Sequence, residues 1–219
     1  MSNHLLAALP RSQYRALLPR LTPVSLEFGD VLHEQGKPIR EVYFPTASMV
    51  SLLTLVDGHF ALEVGMVGRE GMVGMAFALG SANSPVRGLV QGAGPALRMD
   101  AKRFGEALAA SRALQRALQH YTSALIRQIS QTAGCNRFHV VEQRLARWLL
   151  MTRDRVRSPE FHLTHEFLSQ MLGVRRVGVT EAASALQRSK LIEYRRGNIR
   201  ICDQAGLQAA ACSCYLPVR

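Results

Sequence analysis

One stretch, LTHEFLSQMLGVRRVGVTEAASAL from Leu163 to Leu186, constrains the fold most strongly. It has an apolar helical rhythm interrupted by Gly173, and two arginines follow this glycine closely. Thr164 can cap a first helix, and glycine adopts the left-handed conformation that commonly ends one. Two short helices joined by a tight turn with glycine are typical of a helix-turn-helix motif. The alternative is an ordinary pair of packed helices with a solvated basic end.

The apolar spacing favours the motif. Counted from His165, every position at which the two helices would bury a side chain is apolar, and the position of closest approach is the small Ser169. The predicted shared core consists of Leu168, Leu172, Val174, Val179 and Ala182. The next segment, KLIEYRRGNIRICD, has two apolar runs around a Gly-Asn pair, which predicts a two-stranded hairpin, or wing.

The outer side of the second helix and the tip of the wing would be polar and basic. Guanidinium groups match O6 and N7 of guanine and also phosphate oxygens. We expect Arg176 to contact bases, and most of the other residues to contact phosphates or to position the helix. The candidate DNA-binding residues are Thr164, His165, Arg175, Arg176, Thr180, Glu181, Ser184, Arg195 and Arg196.

Charge supports a polyanionic partner. The chain has 27 Lys+Arg against 16 Asp+Glu, a formal net charge of +11. Such an excess points first to nucleic acid, here double-stranded DNA. No apolar run reaches the roughly 18–20 residues of a membrane span, and the first residues do not form a signal peptide. The four cysteines fit no disulfide framework in a chain of this length, so we expect a cytoplasmic protein without a membrane partner.

The first half of the chain has a different pattern. From about Val24 to Met99, short apolar runs and frequent glycines predict a compact all-β roll or barrel. From Ala101 to about Arg137 there is no proline, which predicts one long amphipathic helix, and a second helix follows a hinge at Asn136–His139. A long helix between two domains favours self-pairing, although it can also pack only on its own domain. The predicted dimer seam consists of Leu114, Leu118, Tyr121, Leu125 and Ile129.

This order of elements, together with several short stretches, resembles the CRP/FNR superfamily of bacterial transcription regulators. The stretches are FGDVLHEQG, VYFPTASMVSLL, VEQRLARWLL and the segment from LTHEFLSQ to NIRICD. The resemblance implies an α+β fold with a cyclic-nucleotide-binding-like sensor domain at residues 1–110. It also implies a dimerisation helix at 111–137 and a winged helix-turn-helix domain at 138–219. A homodimer would bind a palindromic operator and contact RNA polymerase.

The chain departs from the cyclic-AMP-binding members of that family. Those members carry a Gly-Glu pair for the ribose and an Arg-Ser or Arg-Thr pair for the cyclic phosphate. Here the ribose glutamate is displaced, and Gly88 follows the basic residue in place of a hydroxyl. Because buried phosphate and ribose groups need polar partners, we expect poor binding of cyclic AMP and an unknown effector. The candidate effector-pocket residues are Glu70, Gly71, Gly74, Arg87 and Ser130.

No metal or other cofactor is predicted. Oxygen-sensing relatives hold an iron–sulfur cluster with cysteines mostly near the N-terminus, whereas no cysteine precedes Cys135 here. The Cys212-Ser213-Cys214 pair could be a thiol sensor, a metal pair or two incidental tail cysteines, and the histidines show no metal-binding spacing. The chain has no Ser/His/Asp set, no H-E-x-x-H motif and no phosphate-binding loop, so we expect no enzyme.

The sequence therefore predicts a sequence-specific DNA-binding regulator that acts as a homodimer. Val177 stands where many relatives place a base-reading glutamate, so we expect a different operator from the usual family half-site. The alternative is a sensor module that acts through protein contacts and binds DNA little. The first interpretation is favoured by the intact helix-turn-helix positions and by the arginine pairs at the start of the second helix and at the tip of the wing.

Overall fold

The computed structural model describes residues 2–57, 60–156 and 158–218. They form a mixed helix and sheet fold, which confirms the predicted α+β class. The chain divides into two compact units, of which the first comprises Met1–Leu55 with Gly65–Ile126 and the second comprises Val56–Val64 with Arg127–Arg219. The division falls within a long helix, and the domain boundaries given above stay a prediction.

The first unit is built on β-strands, as the glycine-rich pattern predicts. Its helices before and between the strands are short: α1 (His4–Ala7), α2 (Arg11–Leu17) and α3 (Met75–Ala78). The strands of this part of the chain are β1 (Thr22–Leu26), β2 (Val31–His33), β3 (Glu41–Pro45), β4 (Met49–Val56), β5 (Phe60–Val67), β6 (Arg87–Gly92) and β7 (Gly94–Asp100). They form a four-stranded sheet of order β2-β6-β4-β5 and a three-stranded sheet of order β1-β7-β3. The last residue of β4 and most of β5 belong to the second unit.

The predicted single helix after the strands is in fact two helices. They are α4 (Ala101–Ala110) and α5 (Arg112–Phe138), and Ser111 between them has extended backbone angles. The Ser111 hydroxyl accepts a hydrogen bond from the Leu114 amide over 3.0 Å, which caps the start of α5. A serine side chain favours a position just before a helix, where it accepts a hydrogen bond from a free backbone amide, over a position inside a helix. The break between α4 and α5 therefore follows from capping by Ser111.

The apolar stripe of α5 packs inside the first unit. Leu114, Leu118 and Tyr121 are at most 9% exposed and belong to its hydrophobic core. The Tyr121 hydroxyl also donates to the Met72 carbonyl over 3.2 Å. These three members of the predicted dimer seam are therefore not surface residues. Their spacing predicts an amphipathic helix correctly, but the partner of their buried side is the β-roll of the same chain.

The later part of the second unit contains four α-helices and three short strands among its described residues. Its elements are α6 (Val141–Val156), β8 (Glu160–His162), α7 (His165–Leu172), α8 (Arg176–Arg188), β9 (Ile192–Arg195), β10 (Asn198–Ile201) and α9 (Gln204–Ala210). A short 3-10 helix, Ser213–Val218, ends the described chain. The predicted hinge is mostly helical, since α5 extends to Phe138 and only His139 and Val140 separate it from α6. Among the described residues, no helix is sufficiently long and apolar to cross a lipid bilayer.

Candidate nucleic-acid interface

The helix-turn-helix motif forms where the sequence predicts it. The Thr164 hydroxyl accepts a hydrogen bond from the Phe167 amide over 3.1 Å, which caps α7 at its start. Gly173 ends this helix with φ 60° and ψ 43°, the left-handed conformation that glycine adopts without strain. Arg175 has extended backbone angles immediately before α8. The turn between the two helices therefore consists of Gly173, Val174 and Arg175.

The predicted shared core of the two helices is confirmed except at one position. Leu168, Leu172, Val179 and Ala182 are buried, whereas Val174 in the turn is only half-buried. Arg144 of α6 donates a hydrogen bond to the Leu172 carbonyl at the end of α7. A cation placed there also interacts favourably with the negative end of the helix dipole. The sequence pattern does not identify this contact, because the two residues are far apart in the chain.

The outer face of α8 is exposed from its first residue. Arg176, Val177, Thr180, Glu181 and Ser184 all lie on the surface, and Val177 is 60% exposed. Because Val177 is exposed among polar side chains, it contributes little hydrophobic stabilisation to the isolated chain. It is well suited to an apolar contact, such as one with a thymine methyl group.

Among the described residues, no acidic side chain forms an ion pair with the arginines of this edge. Arg175 and Arg176 at the start of α8 form no ion pair within the described part of the chain, and the same holds for Arg195 and Arg196 in the wing. All four side chains are exposed. Their charges are therefore free to act on a partner, and the positive end of the α8 dipole adds to the field of the first pair.

A small polar and aromatic cluster holds the start of α8 in place. The Thr180 hydroxyl donates to the Arg176 carbonyl over 3.1 Å and lies 2.9 Å from His165 Nδ1. The His165 ring stacks on Tyr194 of the wing, with 4.3 Å between ring centroids. The Tyr194 hydroxyl in turn donates to the Leu163 carbonyl over 3.2 Å. The sequence pattern does not identify Tyr194, because its partner lies in another element.

This cluster also affects the charge of His165. Burial, and secondarily the nearby positive charge of Arg176, lower the pKa of His165 below its ordinary value. The neutral imidazole is therefore favoured, which weakens the attraction of His165 for phosphate as a cation. Within the chain, His165 links α7 to Thr180 and Tyr194, and its predicted contact with DNA stays a prediction.

The wing has one more strand and a different turn than the sequence predicts. Strand β10 pairs antiparallel with both β9 and β8, so the sheet has three strands. Arg195 pairs with Asn198, and the turn between them consists of Arg196 (φ 52°) and Gly197 (φ 83°) rather than Gly197 and Asn198. Asn198 starts β10, and its side-chain oxygen lies 2.9 Å from His162 Nδ1 of β8.

The candidate effector residues do not all lie in one unit. Glu70, Gly71, Gly74 and Arg87 belong to the first unit, whereas Ser130 belongs to the second. The Glu70 carboxylate accepts a hydrogen bond from the Gly68 amide over 3.1 Å. A methyl group at Gly71 would lie within 2.3 Å of Tyr121 ring atoms, so only glycine fits against this ring.

Arg87, the predicted phosphate partner, already has an acidic partner. Its guanidinium donates two hydrogen bonds to the Glu34 carboxylate, each over 2.8 Å. The Arg87 guanidinium holds the pKa of Glu34 below its usual range. This bidentate pair occupies the two guanidinium donors that would otherwise be available to a cyclic phosphate.

The helix-turn-helix and the three-stranded sheet, with exposed arginines on the second helix and at the turn between β9 and β10, define a winged helix-turn-helix fold. Residues 143–210 match the model of the Crp-like helix-turn-helix domain. No curated protein matches the chain significantly in sequence.

Solved structures extend the likeness to most of the chain. A CRP/FNR-family regulator from Eubacterium rectale has a TM-score of 0.74 at 16% identity, over 94% of this chain and 96% of that chain. FixK2 from Bradyrhizobium japonicum has a TM-score of 0.73 at 14% identity, over 88% and 98%. The c-di-GMP-responsive regulator CLP from Xanthomonas campestris has a TM-score of 0.71 at 16% identity, over 88% and 99%.

The chain therefore has the fold of the CRP/FNR transcription regulators and carries a Crp-like helix-turn-helix domain. This confirms the resemblance stated from the sequence. At these identities the structural likeness defines the fold, and the ligands of the related proteins remain properties of those proteins.

Proposed function

We propose that the protein is a sequence-specific DNA-binding transcription regulator that acts as a homodimer on a palindromic operator. The observation that carries the proposal is the free positive charge at the start of α8. There Arg175 and Arg176 lie exposed, without an acidic partner among the described residues, on a helix whose other side is firmly packed. Binding to nucleic acid uses such charges, since each one that meets a phosphate releases counterions.

The proposed pose places the start of α8 in the major groove. Arg176 would contact a guanine edge, while Arg175 and Thr164 would contact phosphates beside it. Arg195 and Arg196 at the wing tip would contact the adjacent backbone or minor groove. Glu181 and Ser184 lie one and two turns further along the exposed face of the helix, where they can reach neighbouring bases or phosphates. His165 and Thr180 would serve chiefly to position the helix.

Dimerisation would use the long helix α5, but not through the core residues Leu114, Leu118 and Tyr121. Ile126 is 59% exposed on this helix, and Leu125 and Ile129 beside it are half-buried. Burying an apolar side chain of this size contributes about 1.5–3 kcal/mol, which favours this part of α5 as the seam. Two copies joined there would present two α8 helices to half-sites about one helical turn apart.

The effector stays unidentified, and we propose that cyclic AMP is bound poorly. Arg87 is paired with Glu34, and Gly88 offers no hydroxyl. We further propose that the protein acts by binding rather than catalysis, that it works in the cytoplasm where operator DNA lies, and that it contacts RNA polymerase when bound. The CLP regulator responds to c-di-GMP, which makes other cyclic nucleotides reasonable probes in binding assays.

A salt titration of DNA binding by the full chain tests the proposal. We expect the logarithm of the association constant to fall linearly with the logarithm of salt concentration, with a slope that corresponds to several phosphate contacts. Sedimentation in the same buffers should show two chains per DNA duplex. Binding that is absent, or insensitive to salt, would favour the alternative of a sensor that acts through protein contacts.

A further inference from the structure

Four potential metal ligands meet inside the second unit. Cys135, His139, Cys212 and Cys214 each offer one ligand atom, and these atoms all lie within 4.8 Å of one another. All three cysteines are at most 4% exposed, and His139 is half-buried. Buried thiols that converge with an imidazole form the kind of donor set that binds zinc. The helix-turn-helix does not use any of these four side chains.

The separations suit a single tetrahedral ion. With Zn–S bonds of about 2.3 Å and a Zn–N bond of about 2.0 Å, neighbouring ligand atoms lie about 3.5–3.8 Å apart. Cys135 Sγ and Cys212 Sγ are 3.4 Å apart, and Cys214 Sγ lies 3.6 Å from His139 Nδ1. A sulfur–sulfur distance of 3.4 Å is too long for a disulfide, whose bond is about 2.05 Å.

The local backbone explains how both pairs of ligands are presented. Cys135 and His139 are four residues apart at the end of α5, and the His139 amide donates to the Cys135 carbonyl over 3.2 Å. This spacing places both side chains on one side of a helical turn. Cys212 and Cys214 flank the start of the final 3-10 helix, where the Tyr215 amide donates to the Cys212 carbonyl over 3.1 Å.

Neighbouring side chains fix the terminal pair in place. The Tyr215 hydroxyl donates to the Asp154 carboxylate of α6 over 2.8 Å, and Tyr215 is 1% exposed. The Gln131 amide donates to Cys214 Sγ over 2.9 Å. Hydrogen bonds to ligating sulfurs are the outer contacts that orient the ligands of metal sites.

The surroundings also balance the charge. Three thiolates and one neutral imidazole around a divalent ion carry a net charge of −1. Arg144 and Arg147 of α6 are at most 7% exposed and interact electrostatically with Cys135. The Nε atoms of both arginines have no hydrogen-bond partner within the described residues. Two buried guanidinium groups beside a thiol cluster are stabilised when the cluster is anionic.

We propose that Cys135, His139, Cys212 and Cys214 bind one Zn²⁺ ion as a closed, structural Cys3His site. All four positions of the tetrahedron come from the protein, so no open position is left for catalysis. Binding requires the three thiols to lose their protons, which pass to solvent, while the ion keeps its oxidation state. The ion would tie the C-terminal segment to the last turn of α5 and stabilise the unit that carries the helix-turn-helix.

Metal analysis of the full chain tests the proposal. The protein should be produced with zinc in the growth medium and purified anaerobically. We expect about one zinc ion per chain after desalting, and less than about 0.1 in a Cys212→Ser/Cys214→Ser variant. The matched control is Cys202→Ser, because Cys202 is exposed and lies outside the cluster. This variant should keep its zinc and the melting temperature of the unaltered chain.

A second measurement does not depend on whether the variants fold. Zinc-free protein titrated with Co²⁺ should develop the strong visible absorption of tetrahedral cobalt with thiolate ligands, and added Zn²⁺ should remove it. Iron with acid-labile sulfide, instead of zinc, would overturn the assignment. So would a chain that binds neither ion, a Cys135–Cys212 disulfide in zinc-free protein kept from air, or equal zinc loss in the Cys202→Ser control.

Discussion

The arginines of the two units are used in opposite ways. In the first unit, Arg87 donates two hydrogen bonds to Glu34 and is satisfied within the chain. In the winged-helix domain, Arg175, Arg176, Arg195 and Arg196 are exposed and form no ion pair among the described residues. A basic side chain therefore indicates a binding site only when no carboxylate of the same chain already neutralises it. The comparison separates the proposed DNA interface from the predicted effector pocket.

Replacing Arg176 by alanine should have the largest effect. Loss of a bidentate contact to guanine should weaken binding to the selected operator by about 1–3 kcal/mol, which is about 5- to 150-fold in affinity. Binding to random DNA should change much less. Gel-shift titrations on both DNAs measure the difference.

The matched control for this variant is Arg188→Ala. Arg188 is also exposed, but it lies at the opposite end of α8 from the proposed contact. It should leave operator preference unchanged. If Arg176→Ala weakens specific and random DNA equally, Arg176 is a phosphate contact and does not read bases.

The wing tip should show a smaller and less selective effect. If Arg195 and Arg196 contact phosphates, replacing both by alanine should weaken binding to all DNA sequences by a similar factor. The slope of log affinity against log salt should fall by about 2, since each phosphate contact contributes about 0.9. Arg200→Ala is the control, because Arg200 is already paired with Glu193 over 2.6 Å in the same sheet. A changed base preference with an unchanged slope would contradict the proposed role.

Removing the paired arginine of the first unit should not affect DNA binding. Arg87→Ala breaks the pair with Glu34, whose side chains are 35% and 44% exposed. Because solvent screens such a pair, we expect a loss of only about 0.2–1 kcal/mol in the free energy of unfolding. Denaturant titration measures the loss, and isothermal titration with cyclic AMP should give no binding heat with or without the substitution. Tight binding of cyclic AMP that Arg87→Ala abolishes would show that the arginine leaves Glu34 for the ligand.

The smallest expected effect is on the pH dependence of stability, through His33, which is buried in the first unit. His33 is 8% exposed, its Nε2 lies 2.7 Å from the Glu41 carbonyl, and burial lowers its pKa. The unfolded chain then binds a proton more readily than the folded chain. The stabilising contribution is complete above about pH 6.5 and is lost as pH falls toward the lower folded-state pKa. Melting temperatures between pH 8 and pH 5 should fall less for His33→Gln than for the unaltered chain, and equal slopes would contradict this role.

The sequence predicts local features well where neighbouring residues determine them. Thr164 caps α7 and Gly173 ends it because capping and positive φ are properties of one or two residues. The order of β-roll, long helix and winged helix follows from periodicities of the same kind. The helix break at Ser111 cannot be predicted in this way, because the apolar stripe continues across it. Only the hydrogen bond from the Leu114 amide to the Ser111 hydroxyl shows where α5 begins.

Contacts between distant residues could not be predicted in this way. An apolar stripe on α5 shows that one side is buried, but it does not say whether a β-roll or a second copy covers Leu114 and Leu118. In the same way, a lone Cys-x-Cys pair carries little information until Cys135, 77 residues away, lies 3.4 Å from Cys212. The pairing of Arg87 with Glu34 is hidden for the same reason.

Selection of bound fragments from random DNA tests the central claim most directly. The full chain should be used with and without cell extract, so that a required small molecule is supplied in one arm. We predict enrichment of an inverted repeat whose half-sites are centred about 10 base pairs apart, with a guanine whose enrichment disappears in Arg176→Ala. No enriched sequence in either arm, while the protein remains folded, would contradict the claim that these free arginines form a sequence-reading surface.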